Sequence, residues 1–174
     1  MTGSSAPCAL IVMGVSGSGK TTVAKALAQA LHWTYADGDT FHPKANVEKM
    51  SAGLPLDDTD RAPWLAAIAA EIDRACAAGD HLIVACSALK RSYRDILVHG
   101  RNDVHVVYLE GSRTLIAERL AARKNHFMPA GLLDSQFAAL QPPGKDENAV
   151  SVSIDAPVEV VVADITRALG LCPS

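Results

Sequence analysis

The sequence predicts an α/β fold: a mostly parallel sheet with helices on both faces and its ligands at the carboxyl ends of the strands. Three observations predict it. A continuous apolar run, Cys8 to Met13, stops at glycines and gives way to a helical pattern from Lys20 to Leu31. Short apolar runs then alternate with helical patterns to the end of the chain, without an internal repeat or a dividing linker, so one domain is expected over residues 1–174. Finally, 49% of the 174 residues are apolar, enough for a buried core and too many for a disordered chain.

The elements follow in order. Trp33 to Ala36 reads as a second strand running into Asp37-Gly38-Asp39, and a polar stretch from His42 to Asp60 carries one short helix around 45–50. Thr59 or Asp60 can cap a long Ala-rich helix that tolerates Pro63 in its first turn and stops at Gly79; its inward stripe is Leu65, Ile68, Ile72 and Ala75. Leu82 to Cys86 is the third strand, Ala88 to Val98 a helix, Val104 to Leu109 the fourth strand, and Thr114 to Arg123 a helix. Residues 124–131 break every periodicity and are expected to form a mobile loop. A short helix over 132–140, a fifth strand from Val150 to Ile154 and a closing helix from Val158 to Leu169 complete the reading.

Charge and cysteines narrow the class. Sixteen Lys plus Arg against nineteen Asp plus Glu give a net charge of −3, which excludes a strongly basic nucleic-acid surface. No Lys or Arg precedes Lys20, and the first apolar run breaks at Gly17-Ser18-Gly19, so neither a signal nor a membrane anchor is expected. Cys8, Cys76, Cys86 and Cys172 lack C-x-x-C spacing, which points to a reducing, cytoplasmic setting.

Gly14-Val15-Ser16-Gly17-Ser18-Gly19-Lys20-Thr21 fits G-x-x-x-x-G-K-[ST] between a strand and a helix, the context a phosphate-binding P-loop requires. Backbone amides there converge on one anion, Lys20 reaches the outer phosphates, and Thr21 is placed to ligate Mg²⁺. A dinucleotide fingerprint fails because Thr22 stands where the third glycine belongs, and neither N-K-x-D nor D-x-x-G is present for a GTPase. Phosphoryl transfer from a nucleoside triphosphate remains. If the strand stays extended, Asp37 and Asp39 point to one side; Asp37 is assigned to the metal and Asp39 to the base that takes an acceptor hydroxyl's proton. Lys90 and Arg94, four apart and without a carboxylate at helical spacing, join Arg61 as cations facing an anionic acceptor. Arg91 has Asp95 at i+4 and reads as a surface pair. Arg119 and Arg123 read as a phosphate clamp beside the irregular loop, with Lys124 and His126 able to share that task.

Together, Asp37-Gly38-Asp39-x-x-His42-Pro43, Asn46-x-x-Lys49-Met50, Gly53-x-Pro55-Leu56-x-Asp58-x-Asp60-Arg61-x-Pro63-Trp64-Leu65 and Cys86-Ser87-Ala88-Leu89-Lys90-Arg91-x-Tyr93-Arg94-Asp95 resemble the gluconokinase family over nearly the whole chain. The resemblance implies ATP-dependent phosphorylation of D-gluconate at its 6-hydroxyl, feeding the pentose phosphate or Entner–Doudoroff routes, by a homodimer. It implies the P-loop NTPase three-layer sandwich of shikimate kinase and adenylate kinase, with five parallel strands in order 2-3-1-4-5 and a lid over about 124–132 carrying Arg123. Adenine would lie near Arg119 and the Asp155-Ala156-Pro157 loop. The second aspartate, Asp39, is the expected base. The segment 40–61 becomes the acceptor-binding flap, with His42, Lys49 and Arg61 as unranked contacts and Ser87, Lys90 and Arg94 beyond it. The third strand lacks a Walker B aspartate, which speaks against motor and AAA-type ATPases. A kinase for another small anion such as shikimate, and a nucleotide-dependent binding module, stay open as alternatives.

Overall fold

The computed structural model describes residues 6–122 and 130–173. Its strands are β1 (Ala9–Met13), β2 (Thr34–Asp37), β3 (Leu82–Ala85), β4 (Val104–Glu110) and β5 (Ala149–Ser153). They form one sheet in the order β2-β3-β1-β4-β5, and every pairing is parallel. The helices are α1 (Lys20–Leu31), α2 (Lys44–Ser51), α3 (Asp58–Ala77), α4 (Arg91–Val98), α5 (Arg113–Ala122), α6 (Ala130–Ala139) and α7 (Val158–Leu169). No described helix is long and apolar enough to cross a membrane.

Strand geometry sends alternate side chains of the fully buried β1 to opposite faces. Leu10 and Val12 join Val23, Leu27 and Leu31 of α1 and Val161 and Ile165 of α7. Ala9, Ile11 and Met13 join Leu65, Ile68 and Ile72 of α3 and Leu97 of α4 on the other face. Two cores on one sheet explain why β1 reads as unbroken apolar sequence. Register then fixes the carboxyl edge: Val12 lies level with Ala85, and Ala85 with Asp37. The loops leaving β1, β2 and β3 therefore emerge side by side.

Three local expectations need correction. The cap of α3 is Asp57, whose side chain accepts from the Asp60 N–H while Asp60 accepts from the Asp57 N–H; this capping box starts the helix ahead of Thr59. The helix expected from Ala88 begins at Arg91, because Ala88 takes a left-handed φ of 46° that no helix continues. Cys8 and Cys76, expected as free thiols, form a disulfide between the start of β1 and the last turn of α3, with Cα atoms 5.8 Å apart. Their separation of 68 residues hides that proximity from spacing rules. Cys86 and Cys172 are free.

Arg94 is the largest correction. Expected to face an anionic acceptor, its side chain is instead 1% exposed and spends four hydrogen bonds inside the protein. Nε and Nη2 donate to the two oxygens of Glu147, and Nη1 donates to the Ala88 and Leu89 carbonyls. Burial works to raise the Glu147 carboxyl, but the hydrogen bonds from Arg94 and the Gly144 N–H outweigh it and hold it below the ordinary glutamate range. Arg94→Ala would strand a buried carboxylate and release two carbonyls, and should cost about 3–5 kcal/mol in urea unfolding at neutral pH. Because Glu147 is depressed in the folded state, its contribution is complete above the ordinary glutamate range and drains away as pH falls through the lower native value. A loss in Arg94→Ala below about 1 kcal/mol, the range of an exposed pair, would contradict this.

Candidate active site

The phosphate loop occupies the six residues between β1 and α1. Gly17 has φ 85°, and a Cβ there would stand 2.7 Å from Leu120 of α5, so only glycine lets the loop lie against that helix. Helix α1 opens without a side-chain cap and without an acidic residue in its first turn, so no residue of its own first turn offsets its partial positive charge. Lys20 Nζ donates to the Gly14 and Val15 carbonyls at 3.0 and 3.2 Å, folding back over the loop. The Gly14 N–H reaches the Ser87 carbonyl at 3.3 Å, tying the loop after β1 to the loop after β3.

The Asp37 and Asp39 pair does not stay extended. Extension ends at Asp37, and Gly38–Phe41 forms a 3₁₀ turn capped by Asp37, whose Oδ1 accepts from the Asp39 N–H at 2.9 Å. The cause is a close approach: a Cβ on Gly38 would stand 2.6 Å from the Ala85 carbonyl, and the Gly38 carbonyl accepts from Trp64 Nε1 at 2.7 Å. The turn delivers Asp39 to the phosphate loop. Asp39 shares a cavity of about 160 Å³ with Ser16, Gly17, Lys20 and Thr21. The other Asp37 oxygen has no hydrogen bond among the described residues, and a Thr21 hydroxyl with nearby carboxylates is a donor set suited to a hard cation. Burial foremost pushes the Tyr35 phenol up, and the charges of Asp37 and Asp39 add to it; its hydroxyl is buried without a hydrogen-bond partner among the described residues. Cys86 lies close by, but burial drives its thiol up to about 12, so it is no nucleophile.

Beyond Asp39, the side expected to take the acceptor is built from α2, α3 and the start of α4. His42 stacks on Trp64 with centroids 4.2 Å apart, and Asn46 bridges its Nδ1 to the Asp60 carbonyl. Burial lowers the His42 pKa more than the nearby Asp39 charge raises it, and Arg61 lowers it further. Arg61 Nη1 donates to the Tyr93 hydroxyl at 3.0 Å, and that hydroxyl donates to Asp58 at 2.6 Å. Lys90 donates to the same Asp58 oxygen at 3.3 Å and lies 5.5 Å from the Tyr93 ring centroid. Hydrogen bonds from Tyr93 and then Lys90 hold Asp58 below the ordinary carboxylate range. Lys49 is bonded to Asp60 at 2.6 Å and joins α2 to the start of α3. Arg91 sits closer to Asp146, at 2.5 Å, than to Asp95, at 4.0 Å.

A second cavity, of about 310 Å³, opens on the far side of the loop, walled by Gly19, Thr22, Arg119, Ile154, Ala156 and Val158. Arg119 donates to the Ile154 carbonyl and so braces α5 against the segment after β5. Pro157 caps α7 beside this cavity. Arg123, Lys124 and His126, with most of the expected lid, lie outside the described residues; 130–132 belong to α6.

The structure brings Lys20, Thr21, Asp37, Asp39, His42, Arg61 and Lys90 to one edge of the sheet and buries Arg94 against Glu147. Sequence reasoning gave no role to Trp64, Asp58 or Tyr93, although all three stood in the quoted motifs. Gln136 carried no signal: its side chain accepts from the Ser16 N–H at 2.6 Å and donates to Ser16 Oγ at 2.8 Å, across 120 residues. One consequence is testable now. Gly38→Ala should force the Ala85 contact apart, shift Asp39, and lower kcat at least tenfold while ADP affinity stays within about threefold; an unchanged kcat would show that the close approach does not place Asp39.

A family model described as an AAA domain matches residues 10–143, a span that takes in the phosphate loop and the acceptor side. By that match the chain carries this domain, although the missing acidic residue at the end of β3 made an AAA-type reading unexpected. Among curated proteins, the gluconokinase of Gluconobacter oxydans (strain 621H) is 48% identical over 92% of this chain and 90% of its own. The thermoresistant gluconokinase of Escherichia coli (strain K12) is 46% identical over 88% of each. The crystal structure of a gluconokinase from Sinorhizobium meliloti 1021 matches with a TM-score of 0.85 at 42% identity, over 94% of this chain and 92% of that one. A shikimate kinase from Aquifex aeolicus vf5, at 17% identity and TM-score 0.57, shares the fold. The bent phosphate loop, the aspartate turned into its cavity and the Arg61 and Lys90 cations beyond it thus meet in a chain that belongs to the gluconokinase family.

Proposed function

We propose that this protein transfers the γ-phosphoryl group of ATP to the 6-hydroxyl of D-gluconate, giving 6-phospho-D-gluconate and ADP. The observation that carries the reading is the single cavity lined by Lys20, Thr21 and Asp39, which sets a carboxylate base against a triphosphate cradle. Asp39 accepts the hydroxyl proton as the oxygen attacks. Lys20, released from the Gly14 and Val15 carbonyls, neutralises the outer phosphates, and the loop amides hold them in line. Thr21 and Asp37 would hold Mg²⁺, which would supply charge neutralisation to the triphosphate. The adenine enters the 310 Å³ cavity lined by Arg119 and Ala156, with Pro157 next in the chain at the start of α7. Arg123 is assigned to the transferring phosphoryl group.

On the acceptor side, Arg61 and Lys90 are already gathered by Tyr93 and Asp58, and a carboxylate entering there exchanges one anionic partner for another. His42, held largely neutral by burial, offers a hydrogen bond to a hydroxyl. Ser87 lies on the same loop as Lys90. The reading includes a homodimer in the cytoplasm on the route to pentose phosphates; the Cys8–Cys76 bond is the observation that pulls against a reducing compartment.

Asp39→Asn should lower kcat at least 10²-fold while ATP affinity is kept, measured by coupled ADP release with saturating gluconate. Activity near wild type would remove Asp39 from the role of base. Lys90→Ala should raise KM for gluconate about tenfold or more with KM for ATP within about threefold. An equal rise in both would move Lys90 to the nucleotide side. Running the same assay with shikimate separates the alternative acceptor, which predicts turnover there and none with gluconate.

A further inference from the structure

Two loops must be held in register for transfer: the phosphate loop, and the stretch from Cys86 to Lys90 that brings Ser87 and Lys90 to the acceptor. One continuous segment touches both. Gln136, on α6, makes two hydrogen bonds to Ser16, one to its backbone N–H and one to its hydroxyl. Ser16 lines the cavity that holds Asp39 and Lys20. One turn further, the Gln136 carbonyl accepts from the Leu140 N–H, and the next residue, Gln141, donates its N–H to the Leu89 carbonyl at 2.8 Å. The Gln141 side chain also accepts from the Arg91 N–H at 2.8 Å, capping the bare start of α4. Glu147 then holds Arg94, whose guanidinium fixes the Ala88 and Leu89 carbonyls. Ala88, left-handed at φ 46°, keeps that conformation because its neighbours are bonded on both sides.

A rigid helical turn with a polar clamp at each end transmits displacement. Phosphates entering the loop reorient the Ser16 peptide, Gln136 follows because both its amide groups are engaged, and Gln141 moves the Leu89 peptide next to Lys90. We propose that Gln136 is a positioning residue that couples the phosphate loop to the acceptor loop through α6 and Gln141, so that bound nucleotide tightens gluconate binding. This inference rests on the gluconate reading above.

The test is calorimetric titration of gluconate into the full chain with Mg²⁺, with and without a non-hydrolysable ATP analogue. Wild-type protein should bind gluconate at least fivefold more tightly with the analogue present, within the usual range of coupling between sites. Gln136→Ala should reduce that factor below about twofold while leaving its affinity for gluconate alone and for the analogue alone within about threefold of wild type. A merely structural role would instead weaken each single affinity and leave the ratio standing. Gln136→Glu keeps the shape and an acceptor for both Ser16 groups, and should restore a coupling of at least about threefold. Full coupling in Gln136→Ala, none in wild type, or no recovery in Gln136→Glu overturns the inference. Wild-type protein that leaves gluconate unphosphorylated sinks the earlier reading as well, so the two failures are distinguishable.

Discussion

The site depends on one close approach, that of the Gly38 peptide to the end of β3. With no Cβ at Gly38, the backbone packs against the Ala85 carbonyl, Trp64 takes the Gly38 carbonyl, and the chain turns within four residues. That turn converts Asp37 from the last residue of a strand into a cap and carries Asp39 across to the phosphate loop. A phosphate loop alone binds nucleotide; in the proposed reaction the carboxylate beside it turns binding into transfer. The parallel register that sets Val12, Ala85 and Asp37 level makes the approach possible, and two apolar cores clamped on β1 keep that register.

Charge around the acceptor side is arranged economically. Arg61 and Lys90 would repel each other across an empty site, and the Tyr93 hydroxyl and Asp58 hold them together meanwhile. The Lys90 contact to Asp58 is exposed and individually weak, whereas the bonds of the Tyr93 hydroxyl to Arg61 and Asp58 are part-buried. The Arg94 and Glu147 pair is the opposite case: buried, bidentate and bonded to backbone, it fixes a loop and has no capacity left for a ligand. Two cations four residues apart in sequence thus serve unrelated ends.

Much of this was legible in the chain. The P-loop, the bounds of α1 and α7 and the parallel α/β class follow from local pattern, because caps, glycines and apolar period act over a few residues. What was hidden is tertiary. Nothing in Ala88-Leu89-Lys90 announces a left-handed residue, since Arg94 and Gln141 impose it from elsewhere. The partner of Arg94 lies 53 residues away, and the sulfur partner of Cys8 68 residues away. Gln136 looks like any polar helix residue until Ser16 is seen against it. The Asp37 to Asp39 spacing predicted a geometry that does not occur: a turn, not an extended strand, brings the second carboxylate to the phosphate loop.

The most direct measurement is ³¹P NMR of the products formed from ATP, Mg²⁺ and D-gluconate. The account predicts ADP together with one phosphomonoester resonance split by the two protons on C6 of gluconate. Inorganic phosphate without that ester, or an ester on a different carbon, would contradict it.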